Sequence, residues 1–279
     1  MSTRPSILVA PDAFGADLRA PVVAAAIARG LERAGVVPPP ELCPVAGGGP
    51  GTIEVLLPVL GGETADGFAL IEGGGTAIVE RAPTAGVTGE RIAAAAGAGA
   101  AVVLVAAGGP APEFDGAASL VDAIEQGGGL RGAALVVLCE LRAGWTGSDS
   151  AASDLPRDPR GIPMTAAGGG LAGVLWSHYD ARLLAGAPFV LQELGFDRRL
   201  RAARAVIVGE GRLDRATLEG RVTGEIATRA RQAGVPCHAV VGADAIDRFD
   251  ARILDLQAIL VASTRDAIES AGEALTAYL

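Results

Sequence analysis

The sequence contains no lysine, because all 23 of its basic residues are arginine. Asp and Glu together number 32, and the formal net charge is −9. Nucleic-acid binding depends on clustered Lys and Arg, and this acidic chain carries no basic block. A P-loop also requires a lysine against the nucleotide phosphates. The sequence therefore excludes a P-loop and argues against a nucleic-acid partner.

Aromatic residues are scarce at 4%, whereas half of the residues are hydrophobic and glycine contributes 40. The core must therefore be built mainly from small and aliphatic side chains. The length of 279 residues allows one large or two modest domains, each with a sizeable core.

Cysteine and histidine are both rare. Cys43, Cys139 and Cys237 lie far apart in apolar surroundings, which fits neither a disulfide framework nor a zinc site. They predict reduced core thiols of a cytoplasmic protein, and the first residues, which lead directly into a strand pattern, predict no signal peptide. His178 falls in an amphipathic helix and His238 in a core strand, so neither is expected to act as a base.

One apolar stretch, from Ile92 to Ala107, is long enough to raise the question of a membrane span. It contains Gly97 and Gly99 and ends in a β-branched run. A helix, a turn and a buried strand explain this pattern better than a membrane helix does. No membrane partner is therefore expected.

Short apolar runs alternate with helical patterns along the chain. Near-continuous apolar strands are typical of a parallel sheet that helices cover on both faces. The predicted strands are Ser6–Asp12, Thr76–Arg81, Ala101–Ala106, Ala134–Glu140, Ala205–Gly209, Cys237–Val241 and Ala258–Val261. Helices are predicted from Pro21 to about Ala34, after glycines 168–170, over Thr223–Ala233 and after Thr264.

The pattern predicts two α/β domains. Strand–helix alternation is regular at both ends of the chain, so residues 1–43 and 164–279 are expected to form one doubly wound domain. Residues 44–163 would then be a second domain inserted into the first. Within this insert, residues 142–163 are rich in Pro, Ser, Asp and Gly and have no clear period, which predicts a mobile loop.

The stretch GEGRLD directly follows the apolar run 205–208. In open parallel sheets, ligands bind beyond the carboxyl ends of the strands. Arg212 could fork onto a phosphate or carboxylate, and Glu210 and Asp214 could accept a hydroxyl proton or hold a metal. The same residues also fit an ion-pair network that only stabilises a loop, so both interpretations stay open.

Three further strand ends carry residues suited to a site. Asp12 follows the first strand. VAGGGPGT at 45–52 is a glycine loop before a predicted helix, and its N–H groups could cradle an anion. Asp115 follows GGPAPEF and enters another predicted helix. Each aspartate could equally be a helix N-cap.

Taken together, the motifs resemble those of the type 1 glycerate kinase family. The matching stretches are GEGRLDRATLEGR, APDAFGADL, VAGGGPGT, GG followed by DGAASLVDAI, and TAAGGGLAGVL. The resemblance implies a flavodoxin-like doubly wound α/β domain with a second α/β domain inserted. It also implies transfer of the γ-phosphoryl group of ATP, with Mg²⁺, to a hydroxyl of D-glycerate or a similar small sugar acid.

The resemblance further implies a role for each matching position. The catalytic residues would be Asp12, Asp115, Arg212 and Asp214, and the substrate would be bound by Glu210, Thr217, Gly220 and Arg221. The nucleotide and its phosphates would be bound by Gly47, Gly48, Gly49, Gly51, Thr52, Gly108 and Gly109. The Mg²⁺ ligands would be Asp115 and Glu140.

The chain departs from the family pattern at several positions. Gly15 stands where the family has Lys in APDSFK, and Gly47 stands where it has Asp in ADGGEGT. Glu140 replaces the Asp of CDVTNPL. Because phosphoryl transfer needs charge neutralisation, arginine and Mg²⁺ would have to supply it. The rival hypothesis is a non-catalytic homologue that binds a small acid or nucleotide and regulates a partner. The sequence leaves a homodimer open.

Overall fold

The computed structural model describes residues 5–109 and 117–279. The chain divides into two compact units. We call Met1–Ala46 with Leu191–Leu279 the terminal unit, and Gly47–Val190 the central unit.

The described strands and helices follow one another in an α/β pattern. The strands are β1 (Ile7–Pro11), β2 (Glu41–Leu42), β3 (Glu63–Ala65), β4 (Phe68–Ile71), β5 (Thr76–Glu80), β6 (Val102–Gly108), β7 (Ala134–Cys139), β8 (Arg182–Ala185), β9 (Ala205–Glu210), β10 (Cys237–Val241) and β11 (Leu256–Val261). The α-helices are α1 (Ala20–Arg33), α2 (Thr52–Leu60), α3 (Ala85–Gly97), α4 (Ala117–Gln126), α5 (Asp149–Ser153), α6 (Leu171–Tyr179), α7 (Gly186–Glu193), α8 (Phe196–Ala202), α9 (Val222–Ala233), α10 (Arg248–Leu254) and α11 (Arg265–Ala274).

The sheet of the terminal unit has the order β11-β10-β9-β1-β2, and its strands are parallel. Renumbered within this unit, the order is 2-1-3-4-5, which is the flavodoxin-like order. The predicted doubly wound fold is therefore confirmed. The direction of winding reverses between β1 and β9, so these two neighbouring strands form the switch point at which such folds bind ligands.

Helices cover both faces of this sheet. Helices α1 and α11 pack against each other and bury Ile7, Val9 and Ile207 of the sheet beneath them. Helix α9 contacts α8 and α10 instead. Right-handed crossovers run from β1 through α1 in one direction and from β9 through α9 in the other, which places these helices on opposite faces.

The central unit is built on a sheet of order β3-β4-β5-β6-β7-β8. Strands β5 to β8 are parallel, and β3 and β4 form an antiparallel edge. Helices α3 and α4 pack together, and α6 contributes Leu171, Val174 and Leu175 to the same buried core. All seven strands predicted from the sequence are present in the two sheets.

The predicted domain boundary at residue 164 is wrong. The terminal unit resumes at Leu191, because α6 packs in the central core and β8 pairs with β7. Strand β8 is only four residues long and only partly buried, so its sequence carried little strand signal. The helical period of α6 shows that one face is buried but does not show against which sheet it packs.

Residues 142–163 also differ from the prediction. The segment contains α5, and the Met164 N–H donates to the Arg142 carbonyl at 3.2 Å. The Ser177 hydroxyl of α6 accepts from the Arg157 N–H at 2.8 Å, and the Arg157 guanidinium lies 4.1 Å from the ring centroid of Trp176. These contacts join the segment to α6, and α5 differs from the continuous loop that the composition predicted, while the mobility of the segment stays a prediction.

The apolar stretch from Ile92 to Ala107 is divided between a helix and a strand. Helix α3 ends at Gly97 and β6 begins at Val102, as the helix–turn–strand interpretation required. No helix in the described ranges combines the length and hydropathy needed to cross a bilayer. The three cysteines are free and buried, and burial raises the pKa of each thiol.

His238 lies in β10 with only 1% of its surface exposed, and neither ring nitrogen has a hydrogen-bond partner among the described residues. Burial lowers its pKa. We expect His238→Leu to raise the free energy of unfolding by about 1 kcal/mol at pH 7, because it removes unpaired polar atoms from the core.

The pH dependence of this gain has a defined sign. Below about pH 6.5 the unfolded chain binds a proton at His238 that the folded chain resists, so wild-type stability falls as the pH falls. The gain from His238→Leu should therefore be larger at pH 5 than at pH 7 in urea titrations. A loss of stability at both pH values would contradict this assignment.

Candidate active site

Two sequence-predicted carboxylates leave the terminal sheet at its switch point. Pro11 of β1 is aligned with Gly209 of β9, and the Asp12 N–H donates to the Gly209 carbonyl at 2.8 Å. The next residue of β9 is Glu210. Asp12 and Glu210 therefore leave the same edge of the sheet from neighbouring strands.

Glu210 is the buried centre of this edge, with 5% of its surface exposed. The Thr217 hydroxyl donates to Glu210 Oε1 at 2.8 Å, and Arg221 Nη1 donates to Oε2 at 3.3 Å. Burial raises the pKa of Glu210 to about 7, although the contacts of Thr217 and Arg221 act to lower it. The carboxylate is therefore poised to change protonation near neutral pH.

Asp214 holds the segment that follows β9. Its side chain accepts from the Ala216 N–H at 3.0 Å and so caps the 3₁₀ turn Arg215–Glu219. It also lies 3.2 Å from Arg212 Nε and 3.5 Å from Arg221 Nη1. The ion pairs that the structural interpretation expected are thus present at this carboxylate, together with an N-cap that the sequence analysis did not assign to it.

Arg212 differs from Arg221 in its exposure. The side chain of Arg212 is 61% exposed, and that of Arg221 is 25% exposed. Arg221 Nη1 also donates to the Arg212 carbonyl at 2.9 Å, so Arg221 is tied into the loop while the Arg212 guanidinium is open to a ligand. Gly220, with a φ of 133°, turns the chain between the 3₁₀ turn and Arg221.

Three glycines that the sequence did not single out set the shape of this loop. A Cβ atom on Gly211 would lie 2.7 Å from the Phe14 carbonyl oxygen, and one on Gly242 would lie 2.5 Å from the Gly211 carbonyl oxygen. A Cβ atom on Gly224 would lie 2.0 Å from the Thr217 carbonyl oxygen. The Gly-Glu-Gly spacing was the available signal for Gly211, but the other two approaches depend on the tertiary fold.

The predicted nucleotide loops meet in the central unit. The Gly108 N–H donates to the Gly48 carbonyl at 3.1 Å, and the Glu140 N–H donates to the Gly108 carbonyl at 3.2 Å. A Cβ atom on Gly49 would lie 2.7 Å from Gly108 Cα. The structure therefore brings the first glycine loop, the end of β6 and the end of β7 into direct contact.

The N-terminus of α2 already has an anionic partner. The N–H groups of Gly51 and Ile53 donate to Glu80 Oε1 at 3.0 and 2.8 Å, and the Thr52 hydroxyl donates to the Gly49 carbonyl at 2.6 Å. A phosphate would have to displace Glu80 to use these N–H groups. Glu80 lies at the end of β5, and its pairing with a distant loop left no signal in the sequence.

We expect Glu80→Ala to lower the free energy of unfolding by about 1–2 kcal/mol, because two N–H groups of α2 lose their acceptor. Glu80→Gln should lose less, since it keeps the Oε1 acceptor. Chemical denaturation of both variants beside Glu63→Ala, an exposed control on β3, measures the difference. Equal stability of Glu80→Ala and Glu63→Ala would show that this contact is dispensable.

Asp115 and Glu140 are the two predicted Mg²⁺ ligands. Asp115 lies outside the described residues, so its predicted catalytic and metal-binding roles stay predictions. Within the described ranges, no group of three or more His, Cys, Asp and Glu side chains is arranged to hold a metal ion. Glu140 is the predicted Mg²⁺ ligand that the structure describes, and it lies among the glycine loops.

Comparisons with known proteins bear on both units. The sequence model described as the Glycerate kinase family matches residues 7–87 and 132–278. The glycerate kinase of Bacillus subtilis (strain 168) is 26% identical over 323 aligned residues, which cover 85% of this chain and 84% of the relative. The glycerate 2-kinase of Escherichia coli (strain K12) is 24% identical, with coverage of 85% and 84%.

Two further matches differ in extent. The glycerate kinase of Halalkalibacterium halodurans is 38% identical over 89 residues, which span 32% of this chain and only 23% of the relative. A crystal structure from Salmonella typhimurium LT2, provisionally assigned as glycerate kinase 2, has a TM-score of 0.70 at 20% identity. It covers 99% of this chain and 98% of its own, and at this identity the likeness concerns the fold.

Proposed function

Because this chain belongs to the glycerate kinase family, a family of kinases, we propose that it transfers the γ-phosphoryl group of ATP to a hydroxyl of D-glycerate or a similar small sugar acid. The observation that carries the proposal is the cluster at the switch point of the terminal sheet. The buried Glu210 carboxylate, with a pKa raised to about 7, lies there in contact with Arg221, and the exposed Arg212 follows two residues later in the chain.

Each residue of this cluster has a chemical role in the proposal. Arg212 binds the carboxylate of the acid through its planar fork, which suits a small anionic substrate. Asp12 and Asp214 lie at the same edge and accept the proton of the attacking hydroxyl. Glu210 binds a hydroxyl of the substrate, and Thr217 and Arg221 hold the Glu210 carboxylate in place.

The glycine loops of the central unit are the proposed nucleotide site. Gly47 to Gly49 with Gly108 and Gly109 have no side chains of their own and so can present backbone to the phosphates. Mg²⁺ in kinases is usually bound by one or two carboxylates and by the substrate phosphates, and Glu140 among these glycines is a donor of that kind. Bound Mg²⁺ would neutralise phosphate charge in a chain that has no lysine.

The rival function is a non-catalytic binding protein that keeps the acid-binding edge. It is favoured by Glu80, whose carboxylate accepts from the N–H of Gly51, within the predicted anion cradle, and from the N–H of Ile53 in the first turn of α2. This rival shares the substrate site with the kinase proposal. The two hypotheses differ in whether ATP is turned over.

The deciding experiment is ATP turnover with a panel of 2-hydroxy acids that includes D-glycerate. We expect ADP release that depends on both an acid and Mg²⁺. The absence of acid-dependent ADP release from folded protein, together with measurable binding of the acid, would refute the kinase proposal and support the binding protein. Sedimentation of the same sample distinguishes a monomer from a homodimer. A cytoplasmic location is also proposed, and it accords with the three buried free thiols.

A further inference from the structure

The Glu140 carboxylate lies against three glycines from separate positions. A Cβ atom on Gly47 would lie 2.5 Å from Glu140 Oε1, and one on Gly49 would lie 3.1 Å from the same oxygen. A Cβ atom on Gly109 would lie 2.8 Å from Oε2. Side chains larger than hydrogen at these positions would therefore compete with the carboxylate for space.

Glu140 comes closest to Gly47, although at Gly109 the three atoms nearest to an added Cβ also belong to Glu140. The three atoms nearest to a Cβ added at Gly47 are Oε1, Cδ and Cγ of Glu140, at 2.5, 2.7 and 2.7 Å. The φ angle of Gly47 lies outside the left-handed region, so its backbone admits an ordinary side chain. At Gly49, by contrast, the nearest atom is Gly108 Cα at 2.7 Å, which is backbone and cannot move aside.

We propose that a carboxylate from position 47 or from position 140 would occupy the same place, which we call the shared site. Glu140, directly after β7, occupies this place because residue 47 is glycine. The Glu140 side chain lies in the space that a side chain at position 47 would occupy. Two ionised carboxylates at this separation would repel each other. On the basis of the proposed function, we assign to this shared carboxylate the binding of the divalent cation that accompanies the nucleotide.

A double-mutant cycle of Glu140→Ala, Gly47→Asp and their combination tests the proposal. We expect Glu140→Ala to weaken binding of MgATP at least about 10-fold. Gly47→Asp alone should lower Tm by at least about 3 °C, through crowding and like charge. The double variant should recover the Tm of Glu140→Ala and bind MgATP at least about 5-fold tighter than that variant.

Gly49→Ala is the matched control. Its closest conflict is with backbone, Gly108 Cα at 2.7 Å, whereas Glu140 Oε1 lies at 3.1 Å, so Glu140→Ala should relieve only a small part of the Tm loss that Gly49→Ala causes. Calorimetric titration with MgATP and thermal unfolding without ligand supply two separate readouts. The thermal cycle needs no activity and no bound metal.

The two readouts separate this inference from the proposed function. Additive Tm changes in the Gly47–Glu140 cycle would overturn the shared site, whatever the enzyme does. Coupled Tm changes in a protein that does not turn over ATP would refute the kinase proposal and leave the shared site standing. Coupled Tm changes with unchanged MgATP affinity in Glu140→Ala would overturn the cation-binding role.

Discussion

Arg212→Ala is expected to lower kcat/KM for the acid substrate at least about 10²-fold with little change in stability. The Arg212 side chain is 61% exposed and pairs with Asp214 at 3.2 Å, so its removal leaves no cavity. A pair this exposed contributes little to stability. The large effect is expected because the guanidinium would bind the carboxylate of the acid and so orient its hydroxyl for attack.

The neighbouring Arg215 is a matched control. Its side chain is 81% exposed and lies 3.7 Å from Glu219, in the same 3₁₀ turn. Arg215→Ala removes the same charge from the same loop without touching the proposed site. Steady-state kinetics of both variants separate a local role from a general effect of net charge. Equal kcat/KM in the two variants would refute the role of Arg212.

Much of this site could be predicted from the sequence, because the end of an apolar run shows where a buried strand ends. The apolar runs of β1 and β9 end at Asp12 and Glu210, and parallel strands bring their carboxyl ends to one edge. Glycine positions likewise showed where loops approach closely. The pairing of β6 with β7 places Gly108 beside Glu140, whereas the contact of Gly108 with Gly48 of the earlier glycine loop is a tertiary contact.

Other features depend on contacts between distant parts of the chain. The sequence cannot show that Glu80 accepts from the N–H groups of Gly51 and Ile53, because the side chain and its partners are about thirty residues apart. It also cannot show that α6 packs in the central unit, since the period of a helix does not identify its partner. The same limit applies to Gly224, whose need for glycine arises only when α9 lies against Thr217.

The two interpretations of the Glu210 cluster make opposite predictions for Glu210→Gln. If the ion pair with Arg221 only stabilises the loop, removing the charge should destabilise the protein at pH 8. The pKa of Glu210 is raised from 4.5 to about 7, mainly by burial, so the folded protein disfavours the charged form. A shift of this size corresponds to about 3 kcal/mol by linkage.

The sign of the pH effect follows from proton binding. Between about pH 4.5 and pH 7 the unfolded chain loses the Glu210 proton while the folded chain keeps it, so wild-type stability falls as the pH rises and then levels off. Glu210→Gln should therefore match wild type at pH 4 and be more stable by up to about 3 kcal/mol at pH 8. Urea titrations at both pH values test this, with Arg221→Met expected to extend the decline to higher pH, because Arg221 lowers the pKa of Glu210 in the folded state only. Lower stability of Glu210→Gln at pH 8 would show that the ion pair is structural. Higher stability together with lost turnover is expected if the carboxylate serves the reaction and reduces the stability of the fold.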